Sequence, residues 1–317
     1  MTLSKIAKLA NVSVSTVSKA FSESPEINEQ TKNEIFKVAK DLGCFKKYYN
    51  AKYPKFVIAI ICPEFKSGYY SSLISNIEEY LSEKNCEIIV AQTNFSNKKE
   101  EELLNYYNLY TSVDGIISIQ SHTDLSQYDI PIVTMNTAVK SEPFIKCNFE
   151  KPILEALEYF KSKNVSDVGF IGEEKTNGKL EIFTECMNKI YEKVNENFIS
   201  ITEKRFEEGG YIAAKRLIDS GNIPRAVICA YDNMAIGAIR CFNEKNITVP
   251  NDIAVLGMDN IRQAPYLTPS LSSINPQPKK AYQTACEQMI TILNGKTSPK
   301  NLTLDGELIL RESTNIQ

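Results

Sequence analysis

Histidine is almost missing from this chain: its 317 residues hold one, His122, in the polar stretch Gln120-Ser121-His122-Thr123-Asp124. A lone histidine among polar neighbours is expected in a loop, and it supplies no acid–base pair. The glycine signatures of phosphate-handling enzymes are missing too. No Gly-x-Gly-x-x-Gly follows an apolar strand and no Gly-x-x-x-x-Gly-Lys-Ser/Thr occurs, so the usual backbone cradle for phosphates is not encoded. Cys44, Cys62, Cys86, Cys147, Cys186, Cys229, Cys241 and Cys286 stand singly, most of them in apolar runs, without zinc-ligand spacing. They are expected as small core residues in a reducing compartment. No apolar run reaches the ~20 residues of a membrane span, and the start is polar within its first few residues. A cytoplasmic protein is expected, with no membrane association, no catalytic residue, no metal site and no cofactor.

What is present divides sharply by charge. The net charge is −3, yet residues 1–55 hold ten lysines against five acidic residues, +5, which leaves −8 for the remainder. A basic leading segment ahead of an acidic body points to an anionic partner at that end.

Within that segment, Thr2 or Ser4 can cap a helix that carries Ile6, Leu9 and Ala10 on one stripe. Asn11-Val12-Ser13 breaks it, since asparagine tolerates a left-handed turn and Ser13 is a good N-cap. A second helix, Val14 to Phe21, buries Val17, Ala20 and Phe21, and a third, Glu29 to Leu42, adds Ile35, Val38, Ala39 and Leu42. Two short helices across a three-residue turn make a helix-turn-helix, whose second helix enters the DNA major groove. Val14, Ser15, Ser18 and Lys19 then face outward, with chemistry suited to a thymine methyl, phosphates and guanine. An ordinary three-helix module with a solvated Ser/Lys face is the alternative.

From Phe56 onward, apolar runs alternate with amphipathic stretches. Val57–Cys62, Glu87–Ala91, Gly115–Ile119 and Pro131–Met135 form one group of expected strands; Val168–Ile171, Ile199–Thr202, Ala226–Ala230 and Ile253–Gly257 form a second. Helices, such as those near Ser71–Lys84 and Lys98–Tyr110, fall between them. Buried strands alternating with helices imply doubly wound parallel sheets, and two groups imply two lobes with a ligand cleft between. One continuous nucleotide-binding fold is the rival, and the missing glycine motifs disfavour it.

The leading motifs Thr2-Leu3-Ser4-Lys5-Ile6-Ala7, Ala10-Asn11-Val12-Ser13 and Ser15-Thr16-Val17-Ser18-Lys19-Ala20-Phe21 resemble the headpiece of the lactose-repressor family. Further motifs follow in the family's order: Val113-Asp114-Gly115-Ile116-Ile117, Ile130-Pro131-Ile132-Val133, Tyr231-Asp232-Asn233-Met234-Ala235-Ile236-Gly237, Val249 to Asn260, and Pro269 to Ile274. The resemblance implies an all-α helix-turn-helix headpiece over residues 1–45 and a hinge or linker over 46–56. An α/β two-lobed, periplasmic-binding-protein-like domain of two doubly wound parallel sheets follows over 57–317. Its first lobe is expected near 57–148 and 276–305, and its second near 149–275 and 306–317.

The same resemblance implies roles. Positions matching Val14, Ser15 and Lys19 read bases in that family, and those matching Thr16 and Ser18 hold phosphates; Thr2, Ser4, Asn28, Lys52 and Tyr53 complete the expected DNA-facing set. The linker departs from the family pattern, being about three residues shorter and lacking the leucine that wedges into the minor groove. Tyr53 as a substitute wedge is one option; the expectation is a flexible basic linker whose Lys46, Lys47, Lys52 and Lys55 track phosphates. For the cleft, Tyr69 and Tyr70 resemble an aromatic pair that faces a sugar ring, and Asp259 can accept from ligand hydroxyls. Lys179 stands in place of a usual arginine, Tyr231 in place of a small polar residue, and Asn148 in place of an aspartate; all three join the expected ligand set.

The function implied is that of a sequence-specific transcription regulator, a repressor whose affinity for double-stranded operator DNA is set by a small effector, a sugar or sugar derivative. A homodimer is expected, because a palindromic operator needs a two-fold protein. A protein co-regulator in place of the sugar is a variant. A transport solute-binding protein shares the two-lobe form, but an export signal is not what opens this chain; an enzyme on the same fold lacks its acid–base pair.

Overall fold

A computed structural model describes residues 3–49, 55–136, 144–296 and 301–316. Thr2, Lys52 and Tyr53 lie outside the described residues.

In the leading segment, α1 (Leu3–Leu9), α2 (Val14–Phe21), α3 (Glu29–Asp41) and α4 (Phe45–Tyr48) enclose a small core of Ile6, Ala7, Val17, Ala20, Phe21, Ile35, Ala39 and Cys44. Asn11 adopts a left-handed φ of 53°, and Ser13 Oγ accepts the Thr16 N–H at 3.0 Å to cap α2. Two details differ from the helical periodicity. Leu9, expected inside, is 57% exposed, because the seven-residue α1 turns Ile6 and Ala7 to the core instead. The start of the expected linker is also folded: Phe45, Tyr48 and Tyr49 gather around Phe21 and Phe36 with ring centroids 4.8–6.3 Å apart. Aromatic packing wins there over the basic composition that suggested flexibility.

The body begins with β1 (Phe56–Cys62), α5 (Gly68–Ser82), β2 (Cys86–Gln92), α6 (Asn97–Leu109), β3 (Gly115–Ile119), β4 (Ile132–Met135) and β5 (Phe144–Asn148). It continues with α7 (Glu150–Ser162), β6 (Val168–Glu173), α8 (Asn177–Tyr191), β7 (Ile199–Thr202), α9 (Phe206–Asp219), β8 (Ala226–Cys229), α10 (Asp232–Glu244), β9 (Ala254–Met258) and β10 (Ser272–Asn275). Last come α11 (Pro278–Leu293), β11 (Leu302–Asp305) and β12 (Glu307–Ile309). One sheet runs β11-β5-β4-β3-β1-β2, all parallel; the other runs β12-β10-β9-β8-β6-β7, parallel except for β12 against β10. Central strands such as Ile58–Ile61 and Ala226–Cys229 are buried, as strands covered by helices on both sides require. The eight cysteines are free and buried, and no helix among the described residues is long and apolar enough to cross a membrane.

The chain passes between the sheets three times: from β5 to α7, from β10 to α11, and from β11 to β12. The three passages are tied together. Gly306 N–H donates to the Asn148 carbonyl at 3.0 Å, Asn148 Nδ2 to Asp305 Oδ1 at 3.1 Å, and Gln277 Nε2 to the Asp305 carbonyl at 2.7 Å.

Candidate functional site: an interlobe cleft and an exposed helix

Parallel strands deliver their following loops to one end of a sheet, where ligand crevices form. Here both sheets contribute to one cavity of about 430 Å³. Glu64, Ser67, Tyr69 and Tyr70 follow β1, Phe95 follows β2, Gln120 and His122 follow β3, and Asn136 follows β4. From the other lobe, Glu173, Lys175 and Lys179 come after or at the end of β6, Arg205 and Phe206 after β7, Tyr231 after β8 and Asp259 after β9. Of the expected ligand set, Tyr69, Tyr70, Lys179, Tyr231 and Asp259 therefore share one cavity. Asn148 does not line it: its side chain lies at the interlobe passages, giving Nδ2–H to Asp305 and accepting the Glu150 N–H at 3.1 Å.

The polar groups of the cavity are held in place. Tyr69 Oη accepts from Asn136 Nδ2 at 3.3 Å, the Tyr70 hydroxyl donates to Gln120 Oε1, and Tyr231 Oη accepts the Phe206 N–H at 3.0 Å. Burial raises all three phenols, Tyr231 to about 12, so they stay neutral at ordinary pH. Cys147 also lines the cavity, and burial pushes its thiol up to about 12, which keeps it unreactive. Lys179 Nζ donates to the Ala230 carbonyl at 2.7 Å and to Asp259 Oδ1 at 3.3 Å.

Asp259 sits on a loop braced from below. Asp232 is fully buried, accepting from Ser273 Oγ at 2.6 Å and from the Ile261 N–H at 2.7 Å. Burial raises its carboxyl to about 7, against the pull of those two hydrogen bonds. Several lining residues also have left-handed backbone: Phe95, Gln120, Asn136, Phe206 and Asp259 show φ from 51° to 94°. For a phenylalanine this is a strained state, of the kind that gathers at working sites.

Sequence reasoning missed the most charged part of the cavity. Arg205 donates through both terminal nitrogens to Glu64, at 2.7 and 2.8 Å, and through Nε to Glu173 at 3.1 Å. Burial works against the guanidinium's charge, but the bonds and charges of Glu64 and Glu173 outweigh it and raise its pKa. The position of Glu64 and Glu173 at strand ends was the available signal; Arg205 and Phe206 carried none.

In the leading segment, Val14 is 45% exposed, and Ser15, Ser18 and Lys19 are exposed beside it on α2. Thr16 is less open, since its hydroxyl is paired with Ser13 Oγ at 2.8 Å. Lys19 forms a surface ion pair with Glu26. Ser4 is exposed on α1, and Asn28 caps α3 by accepting the Thr31 N–H at 2.8 Å.

Comparison with known proteins decides what this pairing of parts is. The model for bacterial regulatory proteins of the lacI family matches residues 2–44, and that for a periplasmic binding protein-like domain matches residues 157–314. The chain belongs to the lactose-repressor (lacI) family. Among its relatives, the HTH-type transcriptional repressor PurR of Escherichia fergusonii is 28% identical across 98% of this chain and 96% of that protein. The protein named probable HTH-type transcriptional repressor ExuR of Bacillus subtilis is 28% identical across 99% of this chain and 98% of that one. The fold of this lacI-family chain is also that of a lac repressor dimer bound to operator and the anti-inducer ONPF, with a TM-score of 0.76 at 17% identity and 99% coverage of both chains. A transcriptional regulator CelR–cellobiose complex matches with a TM-score of 0.71 at 22% identity, again over 99% of both. Like other members of the family, this chain is a DNA-binding transcription regulator that joins a helix-turn-helix headpiece to a ligand-binding domain.

Proposed function

We propose that this lacI-family regulator is a cytoplasmic repressor that binds a near-palindromic operator as a homodimer and releases or grips it according to a carbohydrate held between its lobes. The observation that carries the proposal is the cleft's composition. Tyr69, Tyr70, Phe95, Phe149, Phe206 and Tyr231 offer apolar ring faces, while Gln120, Asn136, Lys179 and Asp259 offer hydrogen bonds among them. Sugar rings present an apolar face and a rim of hydroxyls, and this mixture suits both. The related CelR structure contains cellobiose in its complex. On the DNA side, Val14, Ser15 and Lys19 would meet base edges and Thr16 and Ser18 phosphates. Ser4 and Asn28 stand at helix starts, where a phosphate is well placed.

The test is selection of bound sequences from random duplex DNA with the purified protein, then titration of the winner at two salt concentrations with and without a panel of sugars. The expected winner is near-palindromic, is bound far more tightly than random DNA, and changes affinity with at least one sugar. A palindromic winner indifferent to every sugar refutes the carbohydrate part and favours a protein co-regulator. Failure to enrich any sequence refutes the operator-binding part.

A further inference from the structure

The cleft contains a charged bridge that joins its two walls. Glu64 and Phe95 belong to the first lobe; Arg205, Phe206, Glu173 and Lys175 belong to the second. The fork from Arg205 to Glu64 therefore spans the cleft. Glu173, on the same lobe as Arg205, takes its Nε–H and so aims the terminal nitrogens toward the other lobe. Both carboxylates are buried, with side chains 6% and 2% exposed. Phe95 strengthens the junction, lying beneath Arg205 at 5.1 Å and Lys175 at 4.3 Å, and Phe206 flanks Arg205 at 4.7 Å from its own lobe. Phe95 and Phe206 both hold left-handed backbone, φ 61° and 57°, at this one point. None of these residues belongs to the three interlobe passages, so the bridge is a tie between the lobes separate from them.

We propose that Arg205 is an interlobe latch, anchored by Glu173 and received by Glu64 and Phe95, which holds the lobes together before any effector arrives. It is a positioning residue, acting on the opposite lobe through Glu64. Opening the cleft would separate Arg205 from Glu64 and let water reach both, so the latch is weaker than a permanently buried pair and stronger than a surface one. An effector then acts on an equilibrium already biased toward closure, and only the difference in its affinity for the two states can move it.

The inference is independent of effector identity and is tested without one. Spin labels at Lys98→Cys and Glu181→Cys, exposed positions on opposite lobes, report lobe separation in the full-length protein, whose eight native cysteines are buried. The latch predicts a dominant short distance. Arg205→Met and Glu64→Gln should each raise the ratio of long to short distances about tenfold or more, while Glu173→Gln, which removes a charge within one lobe but keeps an acceptor for the Arg205 Nε–H, should change it far less. Circular-dichroism melts establish that each variant is folded; should Arg205→Met not fold, the contrast between Glu64→Gln and Glu173→Gln decides. Unchanged distances in Glu64→Gln, or equal shifts in both glutamine variants, overturn the latch.

Discussion

The headpiece and the cleft put function together in opposite ways. On the headpiece, the outward residues of α2 lie within eight consecutive positions, and a short helix fixes their mutual geometry. In the cleft, each side chain comes from the end of a different strand, and only the packing of two sheets brings Glu64 beside Arg205, 141 positions later in the chain. A local pattern can therefore encode the first surface, while the second depends on every contact that holds the lobes in register. Substitutions should obey the same division.

The largest separation is expected from Gly237→Ala. Helices α9 and α10 touch backbone to backbone, and a Cβ at Gly237 would lie 1.9 Å from the Glu207 carbonyl oxygen. Because that atom is main chain, the helices must part, at a cost of about 3 kcal/mol or more. Urea unfolding followed by tyrosine fluorescence should show the second lobe weakened while operator binding by the headpiece persists at low temperature. Loss of headpiece folding in the same variant would break the comparison.

Next comes the brace beneath Asp259. The folded-state pKa of Asp232, about 7, lies above the 3.8 of an ordinary aspartate, because burial disfavours its charge. The folded protein thus holds a proton that the unfolded chain releases, and stability from this group falls as pH rises from about 4 to about 7, then levels. The span is about 4 kcal/mol by the conversion of a pKa difference to free energy. Urea midpoints measured across that window should slope less in Asp232→Asn than in the native protein. The headpiece has no such buried carboxylate among its described core residues, so its own stability should not follow that slope.

Legibility followed the same line. The expected bounds of α2, Val14–Phe21, agree with the structure because an asparagine turn, a serine cap and a clean apolar stripe act together over a few residues. The long buried strands were also readable. The strands β5, β10, β11 and β12 were not, being three to five residues long and carrying Lys146, Ser272, Ser273, Asp305 or Glu307, which reads as loop. Tyr69, Tyr70, Lys179, Tyr231 and Asp259 reached the cavity through family resemblance. Arg205, with no apolar period and no motif around it, is legible only once Glu64 is known to face it.

For the headpiece, the sharper prediction is Ser15→Ala together with Lys19→Ala. Each lost base contact is worth about 1–3 kcal/mol of discrimination, so affinity for the selected operator should fall at least tenfold while binding to random DNA changes little. Effector affinity in the absence of DNA should be unchanged, as both side chains belong to a face the cleft does not touch. Equal loss on operator and random DNA would mean that α2 holds the backbone and does not read bases.

The smallest expected effect probes the same helix from its neighbour. Lys19 is paired with Glu26 on the surface, with the two side chains 46% and 66% exposed. A pair so open to water stabilises the headpiece little, yet the lysine must leave it to reach a base edge. In Glu26→Gln the competing carboxylate is gone and one negative charge is removed from the DNA-facing end. Operator affinity should rise by about two- to threefold at low salt, with the gain shrinking as salt screens the pair. An unchanged affinity at every salt concentration would place Lys19 outside the interface, and the reading surface would then have to begin with Val14 and Ser15 alone.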